Sequence, residues 1–126
     1  MLKKVIKYVD YADNFREETF YFNLNKAELT DMQLSTTGGL DKLIEKISES
    51  QDTKTLISLF KEIILKSYGD KSPDGRRFIK SQELRDEFSQ TEAFVQLYME
   101  LIELPGAASA FVNGIMPKIA EPPPKN

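Results

Sequence analysis

Between Thr53 and Tyr68 the chain carries Leu56, Ile57, Leu59, Phe60, Ile63, Ile64 and Tyr68. Large apolar side chains recurring at three- and four-residue spacing over about four turns describe one helix. Their arc is wider than a simple surface stripe, so the helix is expected to be contacted on two sides. A chain of 126 residues holds one modest core. This segment must therefore run through that core, and the other elements must be arranged around it. Asp52 or Thr53 opens the helix, and Gly69 is read as its C′ residue.

Upstream, Lys3 to Val9 is rich in Val, Ile and Tyr, and Thr19 to Leu24 reads Thr-Phe-Tyr-Phe-Asn-Leu. The polar run Asp10-Tyr11-Ala12-Asp13-Asn14 between them has the size of a hairpin connection. In the second strand Phe20, Phe22 and Leu24 share a face, because side chains alternate. An isolated hairpin is marginal in water, so that face must pack on helices or on a partner.

Asn25 followed by Glu28 has the form of a capping box and predicts a short helix from Lys26 to about Leu34. Thr36-Thr37-Gly38-Gly39 breaks it. Leu40, Leu43, Ile44 and Ile47 then give an amphipathic helix, and Ser48 to Gln51 turns. Asp70 to Lys80 reads as a loop around Ser72-Pro73-Asp74-Gly75. Ser81 caps a helix through about Phe88. Thr91 caps another whose apolar face is Phe94, Val95, Leu97, Tyr98, Leu101 and Ile102, ended by Pro105-Gly106. Ala107 to Ile115 is a final helix stopped by Pro117. The expected fold is α+β and mainly α: an N-terminal hairpin, about six helices, then a flexible Pro-rich tail. Residues 1–117 form one domain and 118–126 the tail. The helices from Thr53 to Tyr68 and from Glu92 to Leu104 are expected to form the core.

His, Cys and Trp are absent. That removes disulfides, thiolate nucleophiles, Cys-based zinc sites and the commonest general base. Lys or carboxylate chemistry remains open, yet no motif dictates a reaction, so the chain is read as a non-enzyme. A net charge of −3 argues against phosphate binding as the main task. No apolar run approaches the roughly 20 residues of a membrane span.

Three constellations invite a sharper reading. Asp70, Ser72 and Asp74 with Gly75 imitate the start of a helix–loop–helix calcium site. Ser81 stands where such a loop needs a bidentate Glu, and Arg76 and Arg77 crowd the would-be ion; an ordinary Asp/Gly turn fits better. Lys71, Arg76, Arg77 and Lys80 form a basic cluster that Glu83, Asp86 and Glu87 are placed to neutralise on the surface. Phe20-Tyr21-Phe22 could stack bases, but no basic, Gly-containing signature accompanies it, so no nucleic acid is expected. No residue is assigned to catalysis, a cofactor or a metal. Many apolar residues on short elements suit either strand or helix capture of a partner, or closure into one monomeric core.

The residues Lys66-Ser67-Tyr68-Gly69-Asp70-Lys71-Ser72, Arg77-Phe78-Ile79-Lys80, Phe88-Ser89-Gln90-Thr91-Glu92-Ala93-Phe94 and Phe111-Val112-Asn113-Gly114-Ile115 carry a resemblance. The segment from about Leu59 to Pro117 resembles the tail assembly chaperones of long-tailed phages and prophages of Gram-positive bacteria. The resemblance implies a protein of the host bacterial cytoplasm that holds the hydrophobic tape measure protein soluble and helps recruit tail tube subunits. No cofactor and no membrane are expected, and a homo-oligomer is admitted; chaperones of this group often occur as a short form and a frameshifted, longer form, for which the Pro-Pro-Pro-Lys-Asn end would be the place of a slippery codon run. Phe60, Phe94, Tyr98 and Phe111 are then the candidate partner-binding anchors, with core packing the default for each. A structural tail completion or connector subunit, or a protein binding a host target, remains the alternative.

Overall fold

A computed structural model describes residues 1–31, 53–104 and 106–117. Strand β1 (Leu2–Val9) pairs antiparallel with β2 (Phe15–Phe22) over eight consecutive residue pairs, from Leu2 opposite Phe22 to Val9 opposite Phe15. The turn is built by Asp10. Its carboxylate accepts from the amides of Ala12 and Asn14, both at 2.9 Å, and pairs with Arg16. Asp13 sits at φ 63°, a left-handed conformation that Asp tolerates better than most residues.

The second strand starts and ends earlier than Thr19–Leu24. Arg16, Glu17 and Glu18 extend the ladder, because Arg16 reaches Asp10 and Glu18 accepts from the Tyr8 phenol. At the other end the chain leaves the sheet. The Asn23 amide donates to the Ser67 carbonyl at 2.7 Å and the Leu24 amide to Ile115 at 2.8 Å.

Helix α1 (Lys26–Asp31) opens with the expected capping box. The Glu28 amide donates to Asn25 Oδ1 at 2.8 Å, and the Asn25 amide to Glu28 Oε1 at 3.0 Å. Helix α2 (Thr53–Ser67) follows and packs against both α3 (Gln82–Ser89) and α4 (Glu92–Glu103). Ser81 and Thr91 cap α3 and α4 by accepting from the Leu84 and Phe94 amides. Helix α5 (Ala107–Ile115) closes the described part of the chain, with Gly106 at φ 80° ahead of it. Among the described residues there are five helices, against about six expected. The remaining one, Leu40 to Ile47, lies outside the described residues, as do the Thr36–Gly39 break, the Ser48–Gln51 turn and the tail.

Asp70 to Lys80 is more than a loop. Tyr68–Lys71 forms β3, and Phe78–Ile79 forms β4. Tyr21 lies opposite Gly69 and Lys71 opposite Phe78, giving an antiparallel four-stranded sheet in the order β1-β2-β3-β4. Gly69 is therefore a strand residue and not a helix C′. A Cβ at Gly69 would stand 2.7 Å from the Ile79 carbonyl oxygen and 2.7 Å from the Phe78 ring. Close backbone approach is what requires glycine there.

The core is shared between sheet and helices and does not belong to α2 and α4 alone. Ile6, Tyr8 and Phe22 of the sheet meet Ile63 and Ile64 of α2, Leu97 and Leu101 of α4, and Phe111, Val112 and Ile115 of α5. Phe22 is fully buried, with ring centroids of Tyr68, Phe88 and Phe111 at 5.7, 5.8 and 5.3 Å. Tyr68 and Phe88 stack at 4.2 Å. Such pairs add about 0.5–1.5 kcal/mol each beyond area burial.

Candidate partner-binding surface

Helix α4 is apolar on two sides. Ala93, Phe94, Leu97 and Leu101 are buried against the sheet and neighbouring helices. Val95, Met99 and Ile102, four and three residues apart, form a second stripe that is 40%, 38% and 40% exposed. Leu104 continues the apolar surface at the helix end, 55% exposed. The sequence pattern groups Val95 and Ile102 with Phe94, Leu97, Tyr98 and Leu101 on one apolar face of α4; the structure turns Val95 and Ile102 outward. The signal was present, because six apolar positions in one short helix cover more arc than one core-facing stripe needs.

Beside this stripe a groove of about 320 Å³ runs between α4 and β1. Ile6, Leu97, Met99 and Leu104 give it apolar walls, and Lys4 spans to Glu100 at 2.6 Å. No residue of β2 lines it, so it opens on the side of β1 turned away from β2. At the far end of the hairpin Val9, Tyr11 and Phe15 are exposed. The nearby Glu92 carboxylate of α4 raises the Tyr11 pKa above its ordinary value.

Of the four aromatic anchors, Phe60, Phe94 and Phe111 are buried, and Phe94 and Phe111 belong to the central cluster. Tyr98 is half-buried. It stacks on Phe94 at 6.0 Å, with the Lys61 ammonium 5.6 Å from its ring centre. The structure thus joins Tyr98 and Phe94 at the edge of the α4 stripe.

The calcium-like loop closes on itself. Ser72 is 2% exposed; its hydroxyl donates to Asp74 at 2.7 Å and accepts from the Arg77 amide at 3.0 Å. The Asp74 carboxylate also accepts from the Arg76 amide, and these bonds hold its pKa below the ordinary value, the Ser72 hydroxyl most of all. Among the described residues no three acidic side chains gather as a metal site.

Lys80 leaves the expected surface cluster altogether. Its ammonium bonds the Asn23 carbonyl at 2.6 Å, the Lys66 carbonyl at 2.8 Å and the Glu28 carboxylate. It thereby ties α1 to the end of α2, through partners 52 and 57 residues distant in sequence. Burial lowers its pKa, opposed by Glu28.

The family model for phage tail assembly chaperones matches residues 1–121. The chain belongs to the phage tail assembly chaperones. The match takes in the N-terminal hairpin, beyond the Leu59–Pro117 segment that carried the resemblance. No curated protein and no solved structure matches the chain. Membership in a chaperone family implies a binding role and a place in phage tail assembly. No helix among the described residues is long and apolar enough to cross a membrane.

Proposed function

We propose that this chaperone binds the tape measure protein in the host bacterial cytoplasm, shelters its apolar segments, and aids recruitment of tail tube subunits around it. The observation that carries the reading is the outward stripe Val95, Met99 and Ile102 on α4, extended by Leu104. A contiguous exposed apolar surface marks an interaction site. Met at its centre suits a client of varied sequence, because an unbranched thioether repacks easily. Tyr98 is the anchor that reaches this surface. Phe94 stacks against Tyr98, Phe111 packs in the core cluster with Leu97 and Leu101 of the same helix, and Phe60 is buried in α2.

The work is non-enzymatic: association removes apolar client surface from water at roughly 25 cal/mol per Å². Coexpression with the tape measure protein of the same phage tests the reading. A soluble complex is expected with the wild-type chain and a depleted one with Met99→Asp. A tape measure protein that stays insoluble, or one rescued equally by Met99→Asp, contradicts it.

A further inference from the structure

Among the described residues β1 has one neighbour, β2, and its other edge is unpaired. Its backbone directions follow from the turn. The Asp10 amide donates to the Asn14 carbonyl at 2.9 Å, one step beyond the pair Val9 and Phe15. Antiparallel ladders alternate, so even-numbered residues of β1 bond to β2. The amides and carbonyls of Lys3, Val5, Lys7 and Val9 therefore point to the open edge. Eight uninterrupted pairs with no proline keep that edge straight.

Exposed edges invite pairing, and lysines are a common guard against it. β1 carries Lys3, Lys4 and Lys7 and no Asp or Glu. Lys4 is taken up by Glu100. Lys3 and Lys7 are exposed and form no ion pair among the described residues, although Glu17 lies opposite Lys7. A second copy of β1 would bring like charges together; a register centred on Val5 sets Lys3 opposite Lys7 twice over. The same lysines attract a strand that brings carboxylates. On the other face of such a strand, side chains drop into the groove between Ile6, Leu97, Met99 and Leu104.

We infer that β1 captures an extended partner segment by strand addition, the segment alternating apolar residues toward α4 with acidic residues toward Lys3 and Lys7. The inference deepens the chaperone reading and rests on it for the partner being a tail protein. The edge and its charge stand independently of that reading.

The test uses the full chain labelled with nitrogen-15 and two synthetic probes, a capped peptide alternating Val and Glu and a matched one alternating Val and Lys. The Val/Glu peptide is expected to shift the amides of Lys3, Val5 and Lys7, and the Val/Lys peptide to leave them in place. Val5→Pro removes an edge-facing N–H without touching the β1–β2 ladder. It should keep the melting temperature and weaken Val/Glu binding about tenfold or more. Equal binding of the two peptides, shifts confined to Val95 and Ile102, or undiminished binding by Val5→Pro overturns the inference. So does a concentration-dependent dimer that protects the β1 amides. Should Val5→Pro not fold, the double variant Lys3→Glu, Lys7→Glu must exchange the preference to the Val/Lys peptide, and failure to do so overturns it equally. Rescue of the tape measure protein without peptide binding would sink strand addition and leave the chaperone reading standing. Peptide binding without rescue would do the reverse.

Discussion

Gly69→Ala isolates one backbone contact on which the second hairpin depends. The added methyl would lie 2.7 Å from the Ile79 carbonyl oxygen and 2.7 and 3.0 Å from two atoms of the Phe78 ring. An ordinary contact would need several tenths of an ångström more on each side. The ring belongs to a half-buried side chain and can turn; the carbonyl belongs to β4, whose Ile79 pairs with Asp70. Relief therefore means prising β3 from β4. Overpacking of this kind costs about 1–3 kcal/mol. For a chain of 126 residues that is a fall in Tm of roughly 3–15 °C. Thermal unfolding followed by circular dichroism measures it. Adding Phe78→Ala removes the ring contact but not the carbonyl contact, so the double variant should recover only part of the loss attributable to Gly69→Ala. If Gly69 served as a helix C′ residue, Phe78→Ala would have no bearing on its replacement. A Tm for Gly69→Ala within about 1 °C of wild type, equivalent to a few tenths of a kcal/mol, would refute the close-approach account.

Phe94→Ala empties a site bounded by Phe88 and Tyr98 and should cost about 3–5 kcal/mol, measured by urea unfolding. Val95→Asp, at the next position of the same helix but turned outward, should change stability by no more than about 0.5 kcal/mol while depleting the tape measure complex in a pull-down. The Tyr8 phenol is pushed up to about 12 by burial and by its bond to Glu18. A phenol whose folded pKa exceeds the unfolded value of 10.0 contributes stability that is intact below pH 10 and lost between pH 10 and 12. Tyrosinate absorbance of wild type against Tyr8→Phe reads that step. Asp10 is shifted the other way, held below 3.8 chiefly by Arg16 and then by the Asn14 amide. Its contribution is present above pH 3.8 and disappears as pH falls through the folded value, which carboxyl NMR titration of the hairpin turn would follow.

Local chemistry was the legible part of this sequence. Asn25 with Glu28, Ser81 and Thr91 each satisfy amides within three residues, and the caps stand where the spacing put them. The Asp10–Asn14 turn is equally local. What escaped depends on distant partners. Tyr68–Lys71 is too short and too polar to announce a strand, and it becomes one because Tyr21 and Phe22 offer a ladder edge. Lys80 reads as one of four surface cations until Asn23, Glu28 and Lys66 come around it. The site was half legible. The apolar residues of α4 could be picked out, but which of them face water depends on where β1, α2 and α5 sit, and periodicity alone does not say.

A chaperone acts during assembly and leaves; a connector or completion subunit stays. Quantitative mass spectrometry of purified finished particles, set beside the lysate of cells making them, separates the two most directly. The account predicts that this chain is abundant in the lysate, copurifies there with the tape measure protein, and is missing from the particles. Finding it in the particles at a fixed stoichiometry would contradict the account and make the α4 surface a permanent contact of the tail.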